Sequence, residues 1–268
     1  MGFVRKGQLP HEQFTIEGRM CRTGTATIYR ARSPSGSPLV VKRIDHPYAR
    51  YEEVEAMRAV QGVKGFVQLE HSQTEADGKL CIVMSMYHSD VLTHVVDLDV
   101  RRRCDMIGFA RRVMLDIAPA LVYLHRDVRM VHLDIKPDNI LWDANDERYV
   151  LCDFGWAHRL DEEGRGIINE QVGTEQYVAP ELCGADDVSY RRVCERSDAY
   201  SLGVTAYAIT TGRYPRTLDP TELVKEMTRH CRNSGDVVFA RDIVGRWLDP
   251  RLESRESIAS TLKYLESD

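Results

Sequence analysis

The most constraining stretch of the chain runs Val131-His132-Leu133-Asp134-Ile135-Lys136-Pro137-Asp138-Asn139-Ile140-Leu141 and is followed, past a turn signal at Asn145-Asp146, by Asp153-Phe154-Gly155. Any fold it adopts must bring two carboxylates, a lysine and an amide to one place. Asp134 can accept a hydroxyl proton, and Lys136 can meet phosphate charge. Asn139 and Asp153 offer the hard oxygen ligands that magnesium takes. The apolar run Tyr149-Val150-Leu151-Cys152 reads as a short strand delivering the Asp153 carboxylate. An Asp-Phe-Gly triplet alone is common by chance; its spacing from Asn139 gives it weight. Together these groups fit phosphoryl transfer.

The rest of the chain divides into two patterns. From Phe14 to about Met86 apolar residues come in short strand-like runs, interrupted by turn clusters at Ser33–Pro38 and Ala76–Lys79. Between them, Tyr48–Gln61 carries Val54, Met57 and Val60 at helical spacing. After Met86, Arg103–Arg126 and Arg196–Thr211 read as long helices, and Pro220–Arg232, Asp236–Leu248 and Arg255–Glu266 as shorter ones. The longest apolar stretch, Ser201–Ile209, is far too short to span a bilayer and reads as a buried helix.

Composition narrows the classes. With 268 residues, 43% hydrophobic and 29% charged, the chain has the make-up of a soluble globular enzyme with room for two lobes of one catalytic unit. A net charge of -5 argues against general nucleic-acid binding. Seven cysteines without a CxxC pair suggest reduced thiols inside a cell, cytoplasmic or nuclear, rather than a disulfide framework. No apolar run after Met1-Gly2-Phe3-Val4-Arg5-Lys6 is long enough for a signal peptide, and Lys6 stands where myristoylation expects Ser or Thr. The basic cluster Arg101-Arg102-Arg103 with Arg111-Arg112 reads as a solvated helix face rather than a docking surface.

On the motifs at Val131–Leu141 and Asp153–Gly155, joined by Lys42 in Leu39-Val40-Val41-Lys42-Arg43-Ile44 and by Gly173–Glu181, the chain resembles eukaryotic-type protein kinases of the Ser/Thr branch. The resemblance covers nearly the whole chain. It implies an α+β fold, the bilobal protein kinase fold: a small antiparallel β lobe with one helix over about 1–86, a hinge near Ser85-Met86-Tyr87, and a larger, mainly helical lobe over about 87–268. ATP and Mg2+ follow, with Asn139 and Asp153 as metal ligands, Asp134 orienting the substrate hydroxyl and Lys136 neutralising the moving phosphoryl group. Lys42, which alone would be an ordinary exposed strand lysine, would hold the α- and β-phosphates, fixed by a helix glutamate. Glu53 is chosen because Met57 lies one turn on, with Glu52 and Glu55 left open.

By the same resemblance, Met84 would be the gatekeeper, the backbone of Ser85 and Tyr87 would bond the adenine, and Ile28, Val40 and Leu141 would sandwich it. His132 would be a packed core residue stacking with Phe154, Met57 and Leu69. Thr174 would bond Asp134 and Lys136, Glu181 would pair with Arg255 in preference to Arg251, and Asp198 would anchor the backbone of the catalytic loop.

Three departures stand out. The family's glycine-rich loop falls on Cys21-Arg22-Thr23-Gly24-Thr25-Ala26-Thr27-Ile28, which keeps one glycine. Ala208 stands where kinases that favour arginine before the target often carry an acid. Leu133 replaces the arginine that receives an activating phosphate, and Trp156–Gly173 contains no Ser, Thr or Tyr. The implied protein is a monomeric Ser/Thr protein kinase acting on protein hydroxyls without activation-loop phosphorylation, with room for a regulatory partner, no nucleic-acid specificity and no membrane association. Two alternatives stay open: a pseudokinase serving as a binding module, and a small-molecule phosphotransferase of related fold, against which Gly173–Glu181 argues.

Overall fold

The computed structural model describes residues 14–45, 51–96, 104–183 and 190–265. The backbone forms two compact units, one ending at Gln61 and resuming over Val67–Met86, the other holding Gly62–Phe66 and the chain from Tyr87 onward.

In the first unit β1 (Thr15–Arg22), β2 (Ala26–Arg32), β3 (Pro38–Ile44), β4 (Leu69–Thr74) and β5 (Leu80–Ser85) form an antiparallel sheet in the order β1-β2-β3-β5-β4. The two turn clusters fall where expected, between β2 and β3 and between β4 and β5. On one face Ala31, Leu39, Val41, Cys81 and Val83 pack with Phe14 into a small core. Residues directly opposite across strands share a face. The pairs Ile28↔Lys42, Lys42↔Ile82 and Val40↔Met84 therefore gather Ile28, Val40, Lys42 and Met84 on the other face. The one helix, α1 (Tyr51–Ala59), buries Glu53, Val54, Ala56 and Met57. The expected start at Tyr48 lies outside the described residues, and the helix stops short of Gln61, ahead of Gly62 at φ 77°.

The second unit is mainly helical: α2 (Val91–Val96), α3 (Met106–Tyr123), α4 (Glu195–Thr211), α5 (Pro220–Thr228), α6 (Ser234–Val238), α7 (Gly245–Trp247) and α8 (Ile258–Leu265). The helix expected from Arg103 begins at Met106 because Asp105 caps it, its carboxylate accepting the Gly108 N–H at 3.3 Å. Arg101–Arg103 lie outside the described residues. The stretch read as one helix over Asp236–Leu248 widens into a π-turn at Phe239–Val244 between α6 and α7. The last helix starts at Ile258 rather than Arg255, and α5 ends at Thr228 rather than Arg232. Helix α2 was not anticipated; it starts where Asp90 accepts the Thr93 N–H at 2.7 Å. Helix α4 is buried from Ser197 to Thr210, which accounts for the apolar stretch within it. No helix of the described residues is long and apolar enough to cross a membrane.

Short strands thread between these helices: β6 (Ser89–Asp90), β8 (Ile140–Asp143) and β9 (Arg148–Leu151) in one sheet, β7 (Met130–Val131) with β10 (His158–Arg159), and β11 (Arg165–Ile168) with β12 (Arg191–Cys194). They carry the segments that hold the candidate catalytic groups. Gly62–Phe66 belongs with this unit because Leu151 N–H donates to Gly65 O at 2.8 Å and Phe66 bridges to Leu151.

Candidate active site

In the first unit the register of β3 presents Lys42, whose Nζ donates to Glu53 Oε1 at 2.7 Å. Glu53 is 2% exposed, while Glu52 and Glu55 are exposed. The Glu53 carboxylate is thus the one α1 turns inward. The β1–β2 turn that falls on the glycine-rich loop is closed by a side chain: Thr23 Oγ1 accepts the Ala26 N–H at 3.0 Å, and Thr23 N–H donates to Ala26 O at 2.8 Å. Gly24 and Thr25 form its tip, and Thr25 O accepts the Asp45 N–H at 2.9 Å. Met84 and Ser85 are half-buried, and Ser85 N–H donates to Gln68 O at 3.4 Å.

In the second unit the catalytic-loop residues are held from below by α4. Asp198 accepts the His132 N–H on Oδ2 at 2.7 Å and the Leu133 N–H on Oδ1 at 2.8 Å, and His125 Nε2 lies 2.8 Å from the same Oδ2. Thr205, two turns further along the same helix, donates to Ile135 O at 3.2 Å. Leu133 is thereby fixed at φ 63°, a left-handed conformation that side chains other than glycine rarely adopt. It is buried, so the position ahead of Asp134 offers no charge.

Asp134 follows immediately. Its Oδ1 accepts the Thr174 hydroxyl at 2.7 Å, and its Oδ2 lies 2.9 Å from both Lys136 Nζ and Asn139 Nδ2. Lys136 Nζ also donates to Thr174 Oγ1 at 2.7 Å, which closes a triangle. The Asn139 amide donates a second bond to Asp134 O at 2.8 Å, so its Nδ2 is committed and its Oδ1 is the atom that could ligate a cation. Asp153 sits at φ 65°, two residues past the end of β9, and its Oδ1 accepts the Gly155 N–H at 3.2 Å. Leu141, in β8, and Tyr87 are half-buried.

His132 is fully buried, its ring 5.2 Å from that of Phe154, which in turn lies 5.7 Å from Phe66. Met57 and Leu69 belong to the first unit. Burial pushes the His132 imidazole below its ordinary value, against the pull of Asp198, Asp134 and Asp153. A histidine held neutral in the fold contributes full stability above its unfolded pKa. That contribution is lost as pH falls below it. The melting temperature should therefore drop between about pH 7 and pH 5, and His132→Phe should flatten that slope; an unchanged slope in the variant would contradict the assignment. For Asp198, burial pushes the carboxyl up, but the His125 hydrogen bond and neighbouring donors outweigh it and leave it below the usual carboxylate range.

The segment after Gly173 is tied to the same frame. Glu181 receives both ends of the Arg255 guanidinium, Nη1 to Oε1 at 2.8 Å and Nη2 to Oε2 at 2.9 Å, and Ser197 donates to Oε1 at 3.0 Å. Arg251 instead meets Asp249. Sequence reasoning missed His125, Thr205, Ser197 and Phe66. A stripe of polar residues at helical spacing in an otherwise apolar α4, Ser197/Asp198, Ser201 and Thr205, was the available signal for two of them.

Comparison with known proteins matches the protein kinase domain model over residues 16–264. The chain is 29% identical over 214 residues to cysteine-rich receptor-like protein kinase 37 of Arabidopsis thaliana, covering 77% of this chain and 32% of that protein. It is 26% identical over 259 residues to serine/threonine-protein kinase CDG1 of the same plant, covering 94% of this chain and 58% of the relative. The chain thus spans between about a third and three fifths of these relatives. The solved structure of the Cydia pomonella Granulovirus kinase PK-1 superposes with a TM-score of 0.72 at 20% identity, covering 94% of this chain and 92% of that one, a likeness of fold. The domain match, with the five-stranded sheet and the helical unit around Asp134, establishes that the chain belongs to the protein kinase domain family.

Proposed function

We propose that the chain is an ATP- and magnesium-dependent Ser/Thr protein kinase, a single kinase domain over 1–268 that works without a phosphate on its activation segment. The observation that carries this reading is the Thr174–Asp134–Lys136 triangle. A threonine of the segment that would receive a peptide rests its hydroxyl on the carboxylate that would accept a substrate hydroxyl's proton, as a substrate Ser or Thr would do. Asp134 then takes the proton and Lys136 meets the charge of the transferring group. Lys42, held by Glu53, binds the α- and β-phosphates, while Ile28, Val40, Met84 and Leu141 contact the adenine and the backbone of Ser85 and Tyr87 bonds it. The donor set of Asn139 and Asp153, an amide oxygen and a carboxylate, suits magnesium, which when bound neutralises phosphate charge. His132, Phe154, Glu181, Asp198 and Arg255 support the loop rather than touch the reacting atoms. A protein substrate is the partner this reading requires. All seven cysteines are free, which supports a reducing, intracellular setting.

Phosphoamino-acid analysis of generic protein substrates labelled from ATP should yield phosphoserine and phosphothreonine; phosphotyrosine as the main product would overturn the Ser/Thr assignment. Protein made in bacteria and treated with phosphatase should keep its activity, since the activation segment offers neither acceptor nor receiver. A large loss, restored by phosphorylation at Thr174 or Tyr177, would contradict that part.

ATP should bind more weakly than a glycine-rich loop allows, because Thr23 Oγ1 already occupies the Ala26 N–H. The Thr23→Gly/Ala26→Gly protein should bind ATP more tightly by calorimetry. Equal or weaker binding would argue that the loop plays no such part.

A further inference from the structure

The segment from Trp156 to Gly173 has no hydroxyl side chain, yet backbone pairing fastens it from His158 to Ile168. In β10, His158 lies opposite Val131 and Arg159 opposite Met130, and Leu160 N–H donates to Arg129 O at 2.8 Å. A tight turn follows, in which Asp161 N–H donates to Arg165 O at 2.7 Å and Arg165 N–H to Asp161 Oδ1 at 2.8 Å. The Asp161 carboxylate therefore shapes the turn. β11 then pairs with β12 from Arg165↔Cys194 to Ile168↔Arg191. Ile168 and Val193 are buried beneath the ribbon, and Ile167 points outward at 63% exposure.

Both anchors lead to the catalytic loop. β7 runs directly into His132 and Asp134, and β12 runs directly into α4, which carries Asp198. The far end of the segment closes on the same loop: a Cβ at Gly173, which sits at φ 68°, would lie 2.3 Å from Leu133 O, and Thr174 follows with its bond to Asp134.

Gly166 makes the ribbon possible. A Cβ there would lie 2.7 Å from His158 Cδ2, 2.8 Å from Val193 Cγ2 and 3.0 Å from Arg159 O. Gly166 is not among the positive-φ glycines, so what this position needs is space between β10 and β12.

We propose that the β11–β12 ribbon is a built-in clamp on the activation segment, that its strand pairing holds Thr174 against Asp134, and that Gly166 is its positioning residue. The inference rests on the reading of this chain as a kinase that needs no activating phosphate, and it names the device that takes the phosphate's place. Hydrogen bonds of a strand pair are already formed when the chain folds, so the segment is ordered without a modification step. Clamp and chemistry are then coupled through α4 and β7.

The test compares wild type, Gly166→Ala and Gly166→Ala/Val193→Ala in three measurements: turnover of a protein substrate, ATP affinity, and the rate of tryptic cleavage after Arg159 and Arg165 under native conditions. The added methyl group should lower turnover by roughly tenfold or more, speed cleavage within the segment, and leave ATP affinity unchanged. Trimming Val193 should recover part of both effects, a rescue that a general loss of stability would not show. If Gly166→Ala does not fold, Ile167→Gly weakens the same strand at an exposed position and should shift turnover and cleavage the same way. Wild-type turnover and wild-type cleavage in Gly166→Ala, or in Ile167→Gly where that variant is used, would overturn the clamp, as would a loss of turnover with no change in cleavage. Loss of wild-type activity on phosphatase treatment would instead overturn the phosphate-independent reading, while the cleavage comparison would still judge the clamp.

Discussion

Asp134→Asn should lower phosphoryl transfer by about 10²–10⁴ while the protein melts within a few degrees of wild type. The substitution preserves shape. Asn139 Nδ2, Lys136 Nζ and Thr174 Oγ1 all surround the Asp134 carboxylate, and an amide in its place still offers one oxygen to them. What disappears is the proton acceptor and the negative charge that places Lys136. Asp153→Asn should cost comparably by exchanging the one carboxylate of the Asn139–Asp153 donor pair for a neutral amide, a weaker ligand for magnesium. Lys42→Met should also abolish turnover, with an added loss of stability, because it removes the ammonium 2.7 Å from the buried Glu53 carboxylate. Steady-state kinetics beside thermal melts check all three; near-full activity in any of them would remove that residue from the machinery.

Arg255→Ala should produce the largest loss of stability. The guanidinium is buried, and each of its donor nitrogens is used: Nε to Asp249 O at 2.8 Å, Nη1 to Glu181 and Arg196 O, Nη2 to Glu181 and Pro250 O. It also lies over the Tyr200 ring at 4.8 Å. Deleting it removes the buried cation from the Glu181 carboxylate, which keeps only the Ser197 hydroxyl of the donors described above, and takes a donor from three carbonyls, a cost of about 3–5 kcal/mol that lowers the melting temperature on the order of 10 °C. Arg255→Lys should recover little, since an ammonium cannot match the fork that meets both Glu181 oxygens. A melting temperature unchanged in Arg255→Ala would show that the tie between the Glu181 segment and the α7–α8 connection carries no stability.

The α+β division was legible because its physical signals are local. Short apolar runs in β2, β3 and β5, broken by Ser33–Pro38 and Ala76–Lys79, read as strands, and the sheet they form closes one face over Phe14. Helix ends were less legible: Asp105 stops the backward growth of α3 by a side-chain bond, and the π-turn at Phe239–Val244 breaks a continuous apolar period. Three neighbouring glutamates could not be separated by composition, because which one meets Lys42 depends on how α1 is rotated on the sheet. The support beneath the catalytic loop was hidden for a similar reason. Thr205 and His125 act on residues 70 and 73 positions away in sequence, and no local pattern states such a contact. The β11–β12 ribbon likewise pairs Arg165–Ile168 with Arg191–Cys194, two short segments well separated in sequence.

The most direct test is transfer of labelled γ-phosphate from ATP to a generic protein substrate by purified, phosphatase-treated wild type, run beside Asp134→Asn and beside wild type with the divalent metal chelated. Multiple turnovers by wild type alone are the predicted result. ATP-induced thermal stabilisation of wild type with no transfer beyond the Asp134→Asn background would mean that the chain binds nucleotide without catalysing its reaction, and would contradict the account.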